Sequence, residues 1–203
     1  MSVNLQKGQK VDLTKGNAGL RRVMVGLGWD EAQQPQSRGL FGGIFGGGKV
    51  EDIDCDASAF LLQGGKIVSR DDIVYFGNLT HNSGTVRHQG DNLTGEGDGD
   101  DEQIFVDLAR LPAKYDKIVF VVNIYQANQR RQHFGMIQNA FIRICDADNG
   151  SELCKYNLSE NYSGMTAMVF GELYRYGNDW KFNAIGQPTT DNDISSLAHR
   201  YGF

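Results

Sequence analysis

YRYGNDWKF, residues 174–182, places Gly177 and Asn178 between two arms that are rich in aromatic side chains. A two-residue turn between antiparallel strands favours glycine and asparagine, because both adopt left-handed backbone angles at low cost. Aromatic side chains in the two arms fit the pleated, half-buried surface of a strand. The stretch therefore predicts a β-hairpin.

The rest of the chain carries more segments of the same kind. Each is short, rich in Val, Ile, Phe or Tyr, and bounded by Gly, Asn or Asp, which is typical of β-strands. The segments are RVMVGLGW (22–29), ASAFLL (57–62), DIVYF (72–76), IFVDL (104–108), KIVFVVNIY (117–125), NAFIRIC (139–145), TAMVFGELYRY (166–176) and DWKFNAIG (179–186). Residues 127–138 could hold one helix or an irregular crossover, and Ile194–His199 a short helix. The pattern predicts an all-β fold, a β-sandwich of two mainly antiparallel sheets with a few short helices.

Length and composition are those of an ordinary globular domain. The 203 residues are 40% apolar and 22% charged, so we expect a single domain over 1–203 with a flexible Gly/Phe-rich insertion at about 33–50. No apolar run of 18 residues and no basic leader opens or crosses the sequence, which predicts a cytoplasmic protein without a membrane span; peripheral association stays open. Three cysteines without a C-x-x-C pair predict free thiols.

The acidic residues are concentrated in two places. The net charge is −5, yet leaving out residues 90–102 leaves 19 acidic against 20 basic residues. We call residues 90–102 the acidic loop and residues 52–56 the D-x-D segment. Such clusters repel phosphate, so no direct contact with nucleic acid is expected. They favour a cation.

The acidic loop has the composition of a calcium-binding loop. It spans twelve residues from Asp91 to Glu102, the length of an EF-hand loop, but Leu93 and Gly95 stand where ligands belong and Glu96 stands where glycine belongs. Its flanks TVRHQ and QIFVDL look like strands. Calcium needs six to eight oxygens at about 2.3 to 2.6 Å, and a glycine-rich backbone can supply carbonyls between carboxylates.

The D-x-D segment spaces its three aspartates two apart. In an extended chain Asp52, Asp54 and Asp56 point to one face, and Ile53 and Cys55 point to the core. If this segment meets the acidic loop at one end of the sandwich, divalent cations are the simplest neutralisers of their repulsion. Calcium fits best; magnesium demands strict octahedral geometry and suits a long flexible loop less well. The competing interpretation is two solvated surface loops.

Other functions have weaker motifs. Gly43 and Gly48-Lys49 resemble a phosphate-binding loop, but Val50 replaces the hydroxyl that would hold magnesium. A metal-dependent hydrolase acting on a phosphorylated small molecule and a small-nucleotide-binding module stay open as alternatives. Arg130, Arg131 and His133 could bind an anion, although a solvated basic turn is the simpler interpretation. With no catalytic motif, we expect a protein that is not an enzyme.

Several long motifs carry a family resemblance. MSVNLQKGQKVDLTK, VGLGWD, DIDCDASAFLL, GDNLTGEGDGDDE, KIVFVVNIYQA, NAFIRICD, GELYRY and WKFNAIG, in this order, resemble the TerD family of tellurium-resistance and general stress proteins. The resemblance implies a β-sandwich that binds calcium, with two ions plausible, in the bacterial cytoplasm, with other stress-response proteins as partners. The matched metal positions are Asp54, Asp56, Asp91, Asn92, Gly95, Glu96, Asp100, Asp101 and Glu102, with Asp52 and Asp98 as second-tier candidates. The insertion at 33–50 is longer than the usual connection in this family.

Overall fold

The structure is a computed structural model that describes residues 2–31, 52–90 and 99–203. The insertion predicted at about 33–50 and most of the acidic loop lie outside the described residues. The strands and helices are β1 (Val3–Leu5), β2 (Lys10–Asp12), β3 (Arg22–Glu31), β4 (Cys55–Leu62), β5 (Ile73–Val74), β6 (Val86–His88), β7 (Glu102–Asp107), β8 (Lys117–Ile124), α1 (Ala127–Arg130), β9 (Ile137–Asp146), β10 (Glu152–Asn157), β11 (Ala167–Tyr176), β12 (Asp179–Thr189) and α2 (Ile194–His199).

The strands form two six-stranded sheets within the described ranges. The first sheet has the order β1-β10-β9-β3-β7-β6, and the second has the order β2-β12-β11-β8-β4-β5. All neighbouring strands are antiparallel except β1 and β10. The predicted all-β sandwich of two mainly antiparallel sheets is confirmed.

The hairpin at 174–182 is also confirmed. β11 and β12 pair up to Tyr176 and Asp179, and Gly177 at the turn has a φ of +63°. Each of the eight predicted runs overlaps a strand, and α2 has the predicted bounds. The crossover after β8 is irregular, with one turn of helix followed by a 3-10 turn at Phe134–Met136.

Two apolar layers hold the sandwich together. The inner layer lies between the sheets and includes Val25, Leu27 and Ile104. A second layer lies on the outer face of the second sheet, where Leu197 and Ala198 of α2 pack near Phe60, Val119 and Val121. Both faces of β4 are therefore covered, and all eight of its residues are buried. The polar side chains on β4 are therefore buried, and losing a hydrogen-bond partner there would destabilise the fold.

We predict that Asp193→Ala destabilises the protein through the cap of α2. The Asp193 carboxylate accepts hydrogen bonds from the Ser196 backbone N–H at 2.7 Å and from the Ser196 hydroxyl at 2.8 Å. The substitution should lower the free energy of unfolding by about 1 kcal/mol at neutral pH. Urea denaturation measures this loss, and Ser195→Ala on the exposed face of the same helix is the control.

The loss should depend on pH in a stated direction. The hydrogen bonds from Ser196 lower the pKa of Asp193. A carboxyl with a lowered pKa stabilises the fold above its unfolded pKa and ceases to do so as pH falls through its folded pKa. The difference between wild type and Asp193→Ala should therefore shrink in acid. An equal difference at pH 7 and in strong acid would contradict the capping role.

Candidate metal site

The D-x-D segment and the end of the acidic loop meet at one end of the sandwich. β4 begins there at Cys55, on the second sheet, and β7 begins there at Glu102, on the first. The Ala57 backbone N–H donates to Glu102 Oε2 at 2.5 Å. Ala57 directly follows the D-x-D segment, so this hydrogen bond joins two parts of the chain that are far apart in sequence and belong to different sheets.

Glu102 is almost fully enclosed at this end of the sandwich, at 2% exposure. It shares the inward side of β7 with Ile104 and Val106, so it points between the sheets. β5 pairs with β4 only at Ala59 and Phe60, which leaves the Ala57 N–H on an edge that β5 does not reach. The carboxylate of Glu102 accepts the hydrogen bond from this N–H.

His88 lies beside both ends of the acidic loop, Gly90 and Glu102. Its Nδ1 accepts a hydrogen bond from the Gly90 N–H at 3.0 Å, and its Nε2 lies 3.4 Å from Glu102 Oε2. Because Nδ1 accepts, the neutral ring carries its proton on Nε2. Both side chains are almost fully buried. No role for His88 was predicted from the sequence, since its two contacts depend on the folded path of the chain.

The three aspartates of the D-x-D segment differ in exposure and in the groups that surround them. Ile53 and Cys55 lie in the inner apolar layer, as the spacing predicts. Asp56 is 6% exposed and lies 3.5 Å from the Asn123 amide of β8. Asp54 precedes β4, and its carbonyl accepts from the Tyr125 N–H at 2.7 Å. Asp52 is exposed.

Four carboxylates act on one buried thiol. Burial raises the pKa of Cys55 well above its usual value, and negative charges raise it further. These charges belong to Asp56, Glu102, Asp54 and Asp101. The thiol therefore stays protonated at neutral pH.

The side chains of Asp100 and Asp101 have different hydrogen-bond partners, although the two residues are adjacent. Asp101 accepts from the Trp29 N–H at 2.7 Å, and burial raises the pKa of Asp101 to about 6 against the effect of that hydrogen bond. Asp100 instead lies over Gly26 on the outer face of the first sheet, where both of its oxygens accept from Arg143, at 2.7 and 2.9 Å. The two adjacent carboxylates therefore have different partners, the Trp29 backbone for Asp101 and the Arg143 side chain for Asp100.

The crossover after β8 packs on the D-x-D segment. Gln132 donates to the Asp52 carbonyl at 3.3 Å, and Arg130 Nη1 lies 3.9 Å from Asp54 Oδ2. Arg130 is therefore not the solvated residue that a basic turn suggests, whereas Arg131 is exposed. The non-glycine residues with positive φ in the described chain all lie in or beside this crossover, at Gln126, Arg131 and Asn139. Backbone of this kind persists where surrounding contacts enforce it.

The remaining sequence candidates, Asp91, Asn92, Gly95, Glu96 and Asp98, lie outside the described residues. Within residues 2–31, 52–90 and 99–203, no three His, Cys, Asp or Glu side chains are grouped so that they could hold a metal ion by themselves. In the same ranges, neither helix has the length and apolar character needed to span a membrane.

The fold defines a class, a β-sandwich of two six-stranded, mainly antiparallel sheets. The chain belongs to the TerD family, because the TerD domain matches residues 1–201. It is 51% identical over 201 residues to the stress response protein SCP2 of Bacillus subtilis, covering 99% of this chain and 100% of the relative. It is 45% identical over 204 residues to the tellurium resistance protein TerD of Serratia marcescens, covering 100% and 98%.

Solved structures show the same fold. A homologue of telluride resistance protein (TerD) from Streptomyces coelicolor superimposes with a TM-score of 0.62 at 24% identity, over 89% of this chain and 96% of the other. A protein of unknown function, SAV2460, superimposes with a TM-score of 0.65 at 24% identity, over 89% and 95%. At this identity the likeness extends to the fold alone.

Proposed function

We propose that this TerD-family protein binds calcium and acts in the stress response, including tolerance of tellurite, as a cytoplasmic binding module and not as an enzyme. The hydrogen bond from the Ala57 N–H to Glu102 supports the proposal, because Ala57 directly follows the D-x-D segment and Glu102 is the last residue of the acidic loop. The names of the relatives, which refer to stress response and tellurium resistance, support the physiological part.

The chemistry of the donors favours calcium. Asp54, Asp56, Asp101 and Glu102 offer hard carboxylate oxygens, which calcium prefers and which zinc and copper prefer less. Their mutual repulsion falls when a divalent ion lies between them. Asp91, Asn92, Gly95 and Glu96 would complete a set of six to eight oxygens, enough for one or two ions. Magnesium would bind more weakly, since it loses its waters reluctantly.

Asp100 has a different role in this proposal. Its side chain is fully buried and both of its oxygens are engaged by Arg143, so it anchors the neck of the acidic loop to the first sheet. Asp52 and Asp98 would adjust the local field. Ion binding would then order the acidic end and complete a surface for other stress-response proteins. Function in the cytoplasm requires a dissociation constant of about 10⁻⁷ to 10⁻⁵ M.

The first test is a calcium-dependent gain in stability. An ion that binds only the folded state should raise the free energy of unfolding by about 2.7 kcal/mol at 100 times its dissociation constant, and so raise the melting temperature. Calorimetric titration of metal-free protein, with magnesium as competitor, measures the affinity. Asp56→Asn combined with Asp91→Asn should abolish both signals.

Asp148→Asn combined with Glu160→Gln is the matched control, because it removes two acidic charges outside the acidic segments. This variant should respond to calcium like wild type. A full response by the Asp56 and Asp91 double variant would place the ligands elsewhere, and no response by wild type would refute calcium binding. Hydrolysis of a phosphoester in step with calcium occupancy would overturn the proposed binding role in favour of an enzyme.

A further inference from the structure

Arg130 is a cation that the structure places directly beside the D-x-D segment. Its Nη1 lies 3.9 Å from Asp54 Oδ2, and the two side chains are only 22% and 19% exposed. The guanidinium also lies over the ring of Tyr125, 5.1 Å from its centroid. A half-enclosed pair of this kind interacts more strongly than an exposed one, because water screens it less.

The crossover holds Arg130 in this position. The Tyr125 N–H donates to the Asp54 carbonyl at 2.7 Å, and the Gln132 amide donates to the Asp52 carbonyl at 3.3 Å. Arg130 lies between these two attachments, at the end of α1. The residues that flank this helix, Gln126 and Arg131, both have left-handed backbone angles. The backbone that carries Arg130 is therefore fastened to the same segment whose carboxylate it approaches.

We propose that Arg130 is a built-in counter-cation that occupies Asp54 when no ion is bound and that calcium must displace to bind. The inference rests on the proposed function and extends it. A guanidinium and a calcium ion compete for one carboxylate, because each takes its lone pairs and the two cations repel each other. Arg130 thereby sets the calcium concentration at which the site fills.

Displacement also changes the surface of the crossover. Tyr125 is 40% exposed, and the guanidinium released from Asp54 keeps its place beside this ring. Calcium binding would then present an unneutralised arginine next to an exposed aromatic side chain. Calcium binding at the acidic end would in this way change the charge of the neighbouring surface around Tyr125.

The sign of the effect of Arg130→Gln tests the inference. Losing a competing charge should tighten calcium binding about tenfold in calorimetric titration, whereas general damage to the site would weaken it. Arg130→Lys keeps the charge and should bind like wild type. Arg131→Gln is the matched control, since Arg131 is an exposed arginine on the same turn and should leave the affinity unchanged. Arg130→Met serves in place of Arg130→Gln if that variant does not fold.

A spectroscopic measurement separates displacement from a general charge effect. In wild type, the Nε–H resonance of Arg130 should shift in step with calcium, and that of Arg131 should not. Equal or weaker calcium binding by Arg130→Gln, with wild type binding normally, would overturn this inference and leave the proposed function standing. Absence of calcium binding by wild type and Arg130→Gln alike would overturn both.

Discussion

Replacing Arg143 by leucine is expected to lower the free energy of unfolding by about 3 kcal/mol. The reason lies in its partner, because the side chain of Asp100 is 0% exposed and both of its oxygens accept hydrogen bonds from the guanidinium. These bonds raise the pKa of Arg143. Without Arg143, a buried carboxylate keeps only the Gln103 amide, at 3.1 Å, as a side-chain donor among the described residues. Chemical denaturation monitored by tryptophan fluorescence measures the loss.

Arg22 offers a matched control. It lies on the same sheet and forms an ion pair with Asp148 in the turn after β9, but its side chain is 58% exposed and that of Asp148 is 41% exposed. Arg22→Leu should leave the denaturation midpoint unchanged within error, because exposed pairs contribute little. Asp100→Asn should recover part of the stability lost in Arg143→Leu, since it removes the unpaired charge. Equal midpoints for Arg143→Leu and Arg22→Leu would show that enclosure of the Asp100 pair contributes nothing.

The fold could be predicted where structure is set locally. The Gly177-Asn178 turn fixes its hairpin from two residues, and long β-branched runs such as 117–125 form strands at the centre of a sheet. The sequence did not predict β1, β2 and β10. β1 and β2 have three residues each and lie at sheet edges, and β1 finds its partner β10 about 150 positions away, so no local pattern marks either of them.

The site could be predicted only as far as residue type and alternation determine it. Alternation placed Ile53 and Cys55 in the core, and composition located both acidic segments. Arg130 and His88 were not predicted as parts of the site, because their contacts arise from the path of the crossover and of the loop necks. Both Asp100 and Asp101 were predicted from the sequence as metal ligands, with no distinction between them. One signal of their divergence was present in VGLGW, where alternating glycines mark a strand face that another group approaches closely.

That signal leads to the second large effect, a loss of about 3 kcal/mol on Gly26→Ala. A Cβ at Gly26 would lie 2.3 Å from Cγ of Asp100, far inside van der Waals contact. The carboxylate cannot move aside cheaply, because Arg143 and Gln103 hold it. Alanine in a strand normally stabilises relative to glycine by about 0.5 to 1 kcal/mol. The predicted sign is therefore the reverse of the intrinsic preference.

Gly16→Ala is the matched control for Gly26→Ala, since nothing lies within 4 Å of a Cβ at Gly16. It should leave the urea midpoint unchanged or slightly raised. Gly26→Ala and Arg143→Leu disrupt the same ion pair, so their combination should cost clearly less than the two separate losses together. Full additivity would mean that the clash and the ion pair act independently. If they do act through one pair, the missing side chain at Gly26 makes room for the Asp100 carboxylate on the first sheet, next to Asp101, which accepts from the Trp29 N–H.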